Sequence, residues 1–333
     1  MTIPSPNLSP ETGGAGLGSA FAAAPEGGTQ PAASFNPGMF GDLIGIQARR
    51  AVFIAHGTTM NPNPVRSVGG NFIAVVAPVP YHASFKITEN ESPRPTDRAY
   101  VSYNYYSDVT RLTPGLSDTD LHRETIGFEK TFLDGDASFG IRLPFLQLVG
   151  DSNVEDNQVG DLSLIFKYAL LNDRRTGDVF STGMVLTLPT GKDVTIDGAT
   201  SLHATVFQPF LGYIVNFDSW YLQGFSSLAV PTDFRDVTLL FNSVGVGYKL
   251  YQNNSPDVSL HGIVPVAELH LNTPLNHRGL NEADPISYPD GLDGTIGVHL
   301  IFQRVNFGLA VGTPLIGPRP YDVEALANLN FTW

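Results

Sequence analysis

Residues 137–148 read ASFGIRLPFLQL and alternate between apolar side chains and small or polar ones. The apolar side chains of one face are Phe139, Ile141, Leu143 and Phe145. The other face carries Ser138, Gly140, Arg142 and Pro144. A period of two predicts a β-strand, because successive side chains of an extended chain leave opposite faces.

The same alternation continues along most of the chain. Residues 161–171 (DLSLIFKYALL) and 294–303 (GTIGVHLIFQ) repeat it, and turn-forming residues separate one alternating segment from the next. From residue 98 onward we predict twelve strands, near residues 98–107, 122–133, 137–147, 159–171, 178–189, 202–214, 218–230, 237–250, 257–271, 294–304, 306–313 and 322–333.

The character of the second face separates a membrane barrel from a soluble β-sandwich. Charged residues make up only 15% of the chain and hydrophobic residues 42%, whereas a soluble domain carries roughly 25% charged residues. The second face is mostly Gly, Ser, Thr and Ala, which suits a barrel lumen better than a surface in bulk water. We therefore predict an all-β fold, a transmembrane antiparallel β-barrel of about 12 strands behind an irregular N-terminal segment.

The predicted links between strands alternate in length. The long links are residues 108–121, 148–158, 190–201, 231–236, 272–293 and 314–321, and the short ones are 134–136, 172–177, 215–217, 251–256 and the connection around Val305. Outer-membrane barrels have long external loops and short periplasmic turns. The first strand then begins on the periplasmic side, and twelve strands return the chain to that side.

The N-terminal part of the chain lacks the alternating pattern. Residues 1–40 are rich in Gly, Ala, Pro and Ser and are expected to form a flexible segment. Residues 41–96 are expected to form a plug or a periplasmic segment, with a short helix near residues 43–54. Residues 97–333 are expected to form the barrel.

We expect part of residues 41–96 to lie inside the barrel. The run FIAVVAPVP at residues 72–80 is too short for a membrane-spanning helix, which needs about 20 apolar residues, and too apolar to float freely in the periplasm. Lumen arginines could hold the segment through its backbone carbonyls or through Glu89 and Glu91. The alternative is that residues 72–87 pair with another protein or pack against the periplasmic rim.

The candidate site consists of charged residues that the alternation places on the face of the strands turned toward the lumen. They are Arg98, Arg123, Glu129, Arg142, Lys167 and Glu324. They could line a pore and set its preference for ions or solutes, or they could form a buried network that braces the wall or anchors a plug. We favour the network, because both signs of charge occur and the basic residues cluster in the first four strands.

Several function classes receive no support from the sequence. The net charge of −13 argues against a nucleic-acid partner, and Cys is absent. The eight His residues stand in no HExxH context, and no GxSxG motif occurs, so we predict no catalytic residue, no metal site and no cofactor. The N-terminus lacks the pattern of a signal peptide. A barrel needs one for export to the outer membrane, so we expect that it has been removed.

The final strand and one early hairpin carry a resemblance to known families. Residues 324–333 read EALANLNFTW and end on Phe331 and Trp333, which resembles the terminal β-signal that the outer-membrane barrel assembly machinery reads. Residues 122–145, preceded by NESPRPTDR (90–98) and YVSYNYY (100–106), resemble outer-membrane proteins grouped with the MetA-pathway phenol-degradation channels. That family is related in general form to FadL-like transporters of hydrophobic compounds. The resemblance covers about residues 90–333 and transfers no substrate-binding residue.

These features lead to two hypotheses of function. The first is an outer-membrane channel or porin-like passive transporter of small or hydrophobic solutes. The second is a plugged, non-conducting barrel with a structural or interaction role in the cell envelope. The expected partners are outer-membrane lipid and, during biogenesis, the barrel assembly machinery, with a homo-oligomer or another envelope protein as open alternatives. A soluble β-sandwich protein is a third, weaker alternative.

Overall fold

The strands of the computed structural model follow the alternating pattern of the sequence. The structure describes residues 37–42, 48–53, 72–77, 86–109, 118–150, 155–191, 195–196, 199–200, 204–234, 236–278, 286–287, 289–317 and 319–333, which all lie within the compact unit Ala33–Trp333. In chain order the strands are β1 (Ala48–Phe53), β2 (Phe72–Ala77), β3 (Arg98–Tyr106), β4 (Thr119–Phe132), β5 (Ala137–Gly150), β6 (Glu155–Val159), β7 (Leu162–Asn172), β8 (Val179–Leu188), β9 (Thr195–Ile196), β10 (Ala199–Thr200), β11 (Val206–Phe217), β12 (Trp220–Pro231), β13 (Leu239–Tyr248), β14 (Tyr251–Gln252), β15 (Leu260–Pro274), β16 (Ile286–Ser287), β17 (Gly291–Phe302), β18 (Val305–Ile316) and β19 (Glu324–Thr332).

Twelve of these strands close into an antiparallel barrel. Neighbours in the wall follow chain order, from β3 through β4, β5, β7, β8, β11, β12, β13, β15, β17 and β18 to β19. Strand β19 then pairs with β3, where Leu326 lies opposite Asn104. Closure pairs the two strands that would otherwise be sheet edges, as a hydrocarbon surrounding requires. The predicted twelve-stranded barrel is confirmed.

The two faces of the wall differ as the alternation predicts. On the outer face, Ile141 is 38% exposed and Ile296 is 68% exposed. On the inner face, Arg142 is 1% exposed and Lys167 is fully buried. Because β5 and β7 alternate in this way along their length, apolar side chains face the surroundings and polar side chains face the interior. This is the arrangement of a barrel whose outer surface contacts lipid.

The expected alternation of link lengths does not hold throughout. Between β13 and β15, residues 249–259 form a longer link than residues 232–238, although the former had been expected to be a short turn. The reason is that β14 folds back from this link and pairs with β15, Tyr251 lying opposite Ile263. The other short links, such as residues 133–136, are tight. We call their end of the barrel the turn end and the opposite end the loop end.

The short helix expected near residues 43–54 is wrong where the structure can be compared with it. Residues Ala48–Phe53 form strand β1, and residues 43–47 and 54 lie outside the described residues. Strand β1 pairs with β2 and with β16 of the loop-end link 275–290. Strand pairing has therefore overridden the weak local helix preference. The described part of the chain contains no helix that is long and apolar enough to cross a membrane.

Candidate functional site

Two short N-terminal segments, residues 37–42 and 86–91, lie inside the barrel; together we call them the inner segments. They run beside each other, with the backbone N–H of Met39 donating to the carbonyl of Glu91 at 2.8 Å. Met39 and Phe40 are buried, although they belong to residues 1–40, which were expected to form a flexible segment. Residues 1–36 lie outside the described residues. Within residues 41–96, part of which was expected in the lumen, Phe72–Ala77 forms β2 at the loop end. Lys86 and Ile87 belong to the inner segments, and residues 78–85 lie outside the described residues.

A tight turn shapes the second inner segment. The backbone N–H of Glu89 donates to the carbonyl of Lys86 at 3.2 Å, and the Glu89 carboxylate accepts the N–H of Lys86 at 3.1 Å. Asn90 has a φ of 51°, which Asn tolerates better than most residues. Gly41 of the first segment has a φ of 84°, and a Cβ there would lie 2.8 Å from Cα of Glu89. The two segments therefore fit closely only because residue 41 has no side chain.

Four cations on β3, β4, β5 and β7 form one side of the interior, which we call the basic arc: Arg98, Arg123, Arg142 and Lys167. Arg98 makes an ion pair with Glu91 at 2.7 Å, and Arg123 makes one with Glu89 at 2.7 Å. Lys167 pairs with Glu91 at 3.0 Å. Both carboxylates of the second inner segment are thus held by the wall.

The basic arc also binds the backbone of the inner segments. Arg142 donates to the carbonyls of Lys86 (3.0 Å) and Glu89 (3.3 Å), and Arg98 donates to the carbonyl of Asn90 at 2.6 Å. From the sequence, Arg98, Arg123 and Arg142 could hold this segment through its carbonyls or through Glu89 and Glu91, and in the structure the three arginines contact both kinds of group. They anchor residues 86–91 on two kinds of group, carboxylates and peptide carbonyls.

Glu129 stands among the cations of the basic arc. It pairs with Arg98 at 2.9 Å and with Lys167 at 3.0 Å, and it accepts a hydrogen bond from Ser138 at 2.7 Å. Its carboxylate also accepts the backbone N–H of Thr96 at 3.2 Å, just before β3 begins. A buried carboxylate is tolerated when it is paired and hydrogen-bonded in this way. Glu129 therefore braces three wall strands as well as the entry into β3.

The opposite charge collects on β15, β17 and β19, where Glu268, Asp293 and Glu324 form what we call the acidic arc. Glu268 accepts the backbone N–H groups of Phe40 (2.9 Å) and Gly41 (3.0 Å). Glu324 accepts a hydrogen bond from Asn104 of β3 at 2.8 Å and so links the two strands that close the barrel. The acidic arc thus binds the first inner segment and also contributes to closure.

Lys86 and Asp42 of the inner segments form an ion pair on the side of the acidic arc. Asn272 of β15 donates to Asp42 at 3.4 Å and to Asp293 at 3.1 Å. His270 lies between two carboxylates, 3.4 Å from Asp42 and 3.3 Å from Glu268. Lys86 of the second inner segment therefore lies among acidic groups, whereas Glu89 and Glu91 of the same segment lie among basic ones.

The inner face of the wall between the two arcs is neutral. The buried side chains of β8, β11, β12 and β13 are uncharged and include the rings of Phe210, Phe225, Tyr221 and Phe241. Phe40 packs on the ring of His299 with centroids 4.2 Å apart. A Cβ on Gly297 or Gly308 would come within 2.7 Å of the Phe40 ring, so these glycines leave the space that the ring fills.

Little space remains where the inner segments meet the wall. A cavity of about 10 Å³ is lined by residues that include Phe40, Asn90, Tyr100 and Arg142. A volume of that order holds at most one water molecule. At this level the inner segments occupy the lumen.

The six candidates from the sequence divide into two groups. Arg98, Arg123, Glu129, Arg142 and Lys167 meet around the second inner segment, whereas Glu324 lies on the acidic arc. Phe331 and Trp333, which the sequence suggested as an assembly signal, are on the outer face, where the Trp333 ring stacks on Phe128 with centroids 5.5 Å apart.

Sequence reasoning missed further residues of this site: Phe40, Asp42, Lys86, Glu268, His270 and Asp293. The period of two in β15 carried a signal for Glu268 and His270, because Leu269 and Leu271 alternate with them. Asp293 had been assigned to the link 272–293, but it belongs to β17, which begins at Gly291. Phe40, Asp42 and Lys86 stand in segments without periodicity.

The described residues contain no group of three or more His, Asp or Glu side chains that could hold a metal ion. This finding concerns the ranges given above and not the stretches between them. The polar groups of the interior act on the inner segments instead, through ion pairs and hydrogen bonds.

Comparisons with known proteins place the fold. No family model and no curated protein matches this sequence. Among solved structures, an outer membrane channel from Pseudomonas putida F1 matches with a TM-score of 0.51 and 11% identity, over 78% of this chain and 100% of its own. The β domain of the Bordetella autotransporter BrkA matches with a TM-score of 0.46 and 11% identity, over 72% and 100%. The NanC porin matches with a TM-score of 0.44 and 10% identity, over 71% and 98%. At 11% identity, the match to the outer membrane channel establishes the fold alone: this chain has the fold of an outer-membrane β-barrel.

Proposed function

We propose that this protein is an outer-membrane channel, porin-like and passive, whose lumen is closed at rest by the inner segments acting as a plug. The observation that carries this proposal is the occupation of the lumen by residues 37–42 and 86–91, which charged wall residues hold. A barrel with an apolar outer face resides in lipid. A lumen lined by charged and hydroxyl groups would be hydrated once the plug left it.

The polar nature of the contacts supports a displaceable plug. Buried ion pairs such as Arg123–Glu89 contribute little net stability compared with apolar packing of the same volume, because burial removes the charges from water. When the plug leaves, water hydrates both partners again, so the cost of separation is small. Leaving a mainly apolar lumen would expose apolar surface instead. A plug that opens is therefore better held by polar contacts than by apolar ones.

The charged lumen favours small hydrophilic solutes over hydrophobic ones. The basic arc and the acidic arc would both face a solute in the open barrel, and desolvating them for an apolar compound would be unfavourable. Transport of hydrophobic compounds, implied by the resemblance to MetA-pathway and FadL-like channels, is the less favoured form of the same proposal. Outer-membrane lipid and the barrel assembly machinery are the proposed partners.

Conductance in planar bilayers tests the proposal. The full-length variant Glu89→Gln/Glu91→Gln removes both carboxylates that the basic arc holds, so we expect it to open far more often than the wild type. The matched control is Asp218→Asn/Asp257→Asn, which makes the same chemical change at two exposed positions. It should behave as the wild type does. Heat-dependent mobility in gel electrophoresis checks that each barrel is folded.

One observation favours the second candidate, a non-conducting structural barrel. Strands β1 and β2, which lie between the inner segments in the chain, pair with β16 in a loop-end link, while residue 97 joins β3 at the turn end. A plug tethered at both ends resists displacement. Folded wild-type and Glu89→Gln/Glu91→Gln proteins that both fail to conduct would favour this candidate over the channel.

A further inference from the structure

We infer that the lumen wall is a binding site for short zwitterionic peptides, and that the inner segments occupy it at rest as an internal ligand. The inference rests on the proposed channel function and names its solute class. Three features of the wall carry it: the separation of its charges, its contacts with peptide groups, and its neutral aromatic surface.

The first feature is the separation of charge around the wall. The buried charged residues of β3, β4, β5 and β7 are four cations and one carboxylate, Glu129. Those of β15, β17 and β19 are three carboxylates, beside which stand His270 and His299. By formal count, with every carboxyl taken as ionised and His as neutral, the first group has 4 − 1 = +3 and the second −3. A solute that carries both signs of charge at separate places matches such a wall better than a simple anion or cation does.

The inner segment 86–91, KITENE, shows this match. Its two carboxylates, Glu89 and Glu91, pair with the basic arc. Its cation, Lys86, pairs with Asp42 of the first inner segment, to which Asn272 of β15 donates, and lies over the ring of Phe241 of the wall at 5.1 Å. Opposite charges three to five residues apart in a turn thus reach the two sides of the lumen. A peptide of about this length can present the same groups.

The second feature identifies the ligand as a peptide and not merely a zwitterion. Glu268 accepts two successive backbone N–H groups, those of Phe40 and Gly41. Thr295 donates to the carbonyl of Gly41 at 3.1 Å, and Arg142 donates to two further carbonyls of the inner segments. These wall groups bind peptide N–H and C=O groups, which every peptide carries whatever its side chains. Such contacts give affinity without strict sequence selectivity.

The third feature is a place for an apolar side chain. Phe40 stacks on His299 in the space left by Gly297 and Gly308, and the neutral strands β8, β11, β12 and β13 add aromatic rings. A peptide that replaced the inner segments would find this space vacant once Phe40 left it. The wall therefore offers the basic arc for carboxylates, donors and an acceptor for the peptide backbone, and space for one large apolar side chain, and its acidic arc stands on the side where a peptide cation would lie.

Calorimetric titration of the detergent-solubilised, full-length Glu89→Gln/Glu91→Gln variant tests the inference. The probes are the acetylated and amidated peptides KITENE and QITQNQ, the second of which has the same length without charges. We expect KITENE to bind at least about tenfold more tightly, since each charge-assisted hydrogen bond contributes on that order. Equal affinities, or no binding of KITENE, would overturn the inference.

Wall variants in the same background locate the site. Arg123→Gln/Arg142→Gln should weaken KITENE binding by about tenfold or more, whereas the exposed pair Arg174→Gln/Arg175→Gln should leave it unchanged. An equal loss with both pairs would overturn the inference. If the background variant Glu89→Gln/Glu91→Gln does not fold, Lys86→Gln takes its place as the background, and the same differences in KITENE binding are expected. Binding is measured without any current, so the two proposals can be tested separately. A folded barrel that conducts but does not bind KITENE would contradict only the peptide-binding inference. A folded barrel that binds KITENE but does not conduct would contradict only the channel proposal.

Discussion

The outer and inner faces of the barrel wall are built from alternate residues of the same strands, yet they meet opposite surroundings. Ile141 and Arg142 are neighbours in β5; the first is 38% exposed toward the surroundings and the second is 1% exposed inside. The outer face is stabilised by its fit to hydrocarbon and the inner face by paired charges and hydrogen bonds. A substitution on the outer face should therefore change the stability of the whole barrel, whereas one on the inner face should mainly change how firmly the inner segments are held.

The largest expected effect comes from a charge on the outer face. Ile141→Arg should lower the free energy of unfolding in lipid by roughly 2 to 4 kcal/mol, because a cation near the midplane must leave water. Urea titration in phospholipid vesicles measures it. Ile141→Val is the matched control and should cost no more than about 1.5 kcal/mol. A cost for Ile141→Arg as small as that of the control would contradict the lipid-facing assignment.

A change on the inner face should free the inner segments without unfolding the wall. Arg98→Gln removes the ion pairs with Glu91 and Glu129 and the donor to the Asn90 carbonyl. Its cost should be roughly 1.5 to 3 kcal/mol, because the remaining buried groups lose a charged hydrogen-bond partner. Hydrogen exchange should then speed up at residues 86–91 and stay slow in β11 and β12. Arg98→Lys should restore part of the protection. Equal loss of protection in β11 would show that the two faces are not separable in this way.

The C-terminal residues of the outer face test assembly apart from stability. Phe331→Ser/Trp333→Ser should impair membrane insertion in cells, since the assembly machinery is proposed to read this strand. Refolding in detergent should remain nearly normal, because the Trp333–Phe128 stack contributes only about 1 kcal/mol and the hydrogen bonds of the wall persist. The control, Phe217→Ser, removes an exposed ring from β11 instead. Normal insertion of the double variant would remove the assembly-signal argument.

The smallest expected effect lies in the water-exposed turn 173–178 between β7 and β8. The backbone N–H of Asn216 donates to Asp178 at 2.8 Å and holds the pKa of that carboxyl below its usual range. A carboxyl with a depressed pKa stabilises the fold above its unfolded pKa, and that contribution is lost as the pH falls through the folded value. The thermal midpoint of the wild type should therefore approach that of Asp178→Asn below about pH 4.

Above that pH the free energies of unfolding of the two proteins should differ by no more than about 1 kcal/mol, because Asp178 is only partly buried and solvent screens its contacts. Asp257→Asn, at another exposed position, should follow the wild type over the whole range. A constant difference between the wild type and Asp178→Asn from pH 7 to pH 3 would contradict the role given to the Asn216 hydrogen bond.

Much of the wall could be predicted from the sequence, because strand periodicity is local. The strand predicted at 137–147 is observed at Ala137–Gly150, and Arg142 and Lys167 face inward as their phase requires. Strand ends were less certain. The strand predicted at 294–304 begins at Gly291, and this difference of three residues moved Asp293 from a loop into the lumen.

The alternation of residues by itself determined the twelve strands, their two faces and the inward direction of the basic arc. Only the tertiary structure decided that Phe40, Asp42 and Lys86 lie in the lumen and that Phe72–Ala77 pairs with β1 at the loop end. Segments without periodicity carry no signal of what they contact. Their positions depend on partners that are distant in the sequence, such as Glu268, which is 228 residues from Phe40. The two faces of a strand can be identified from its own alternating side chains, whereas the segment that fills the lumen is determined by its contacts with the surrounding wall.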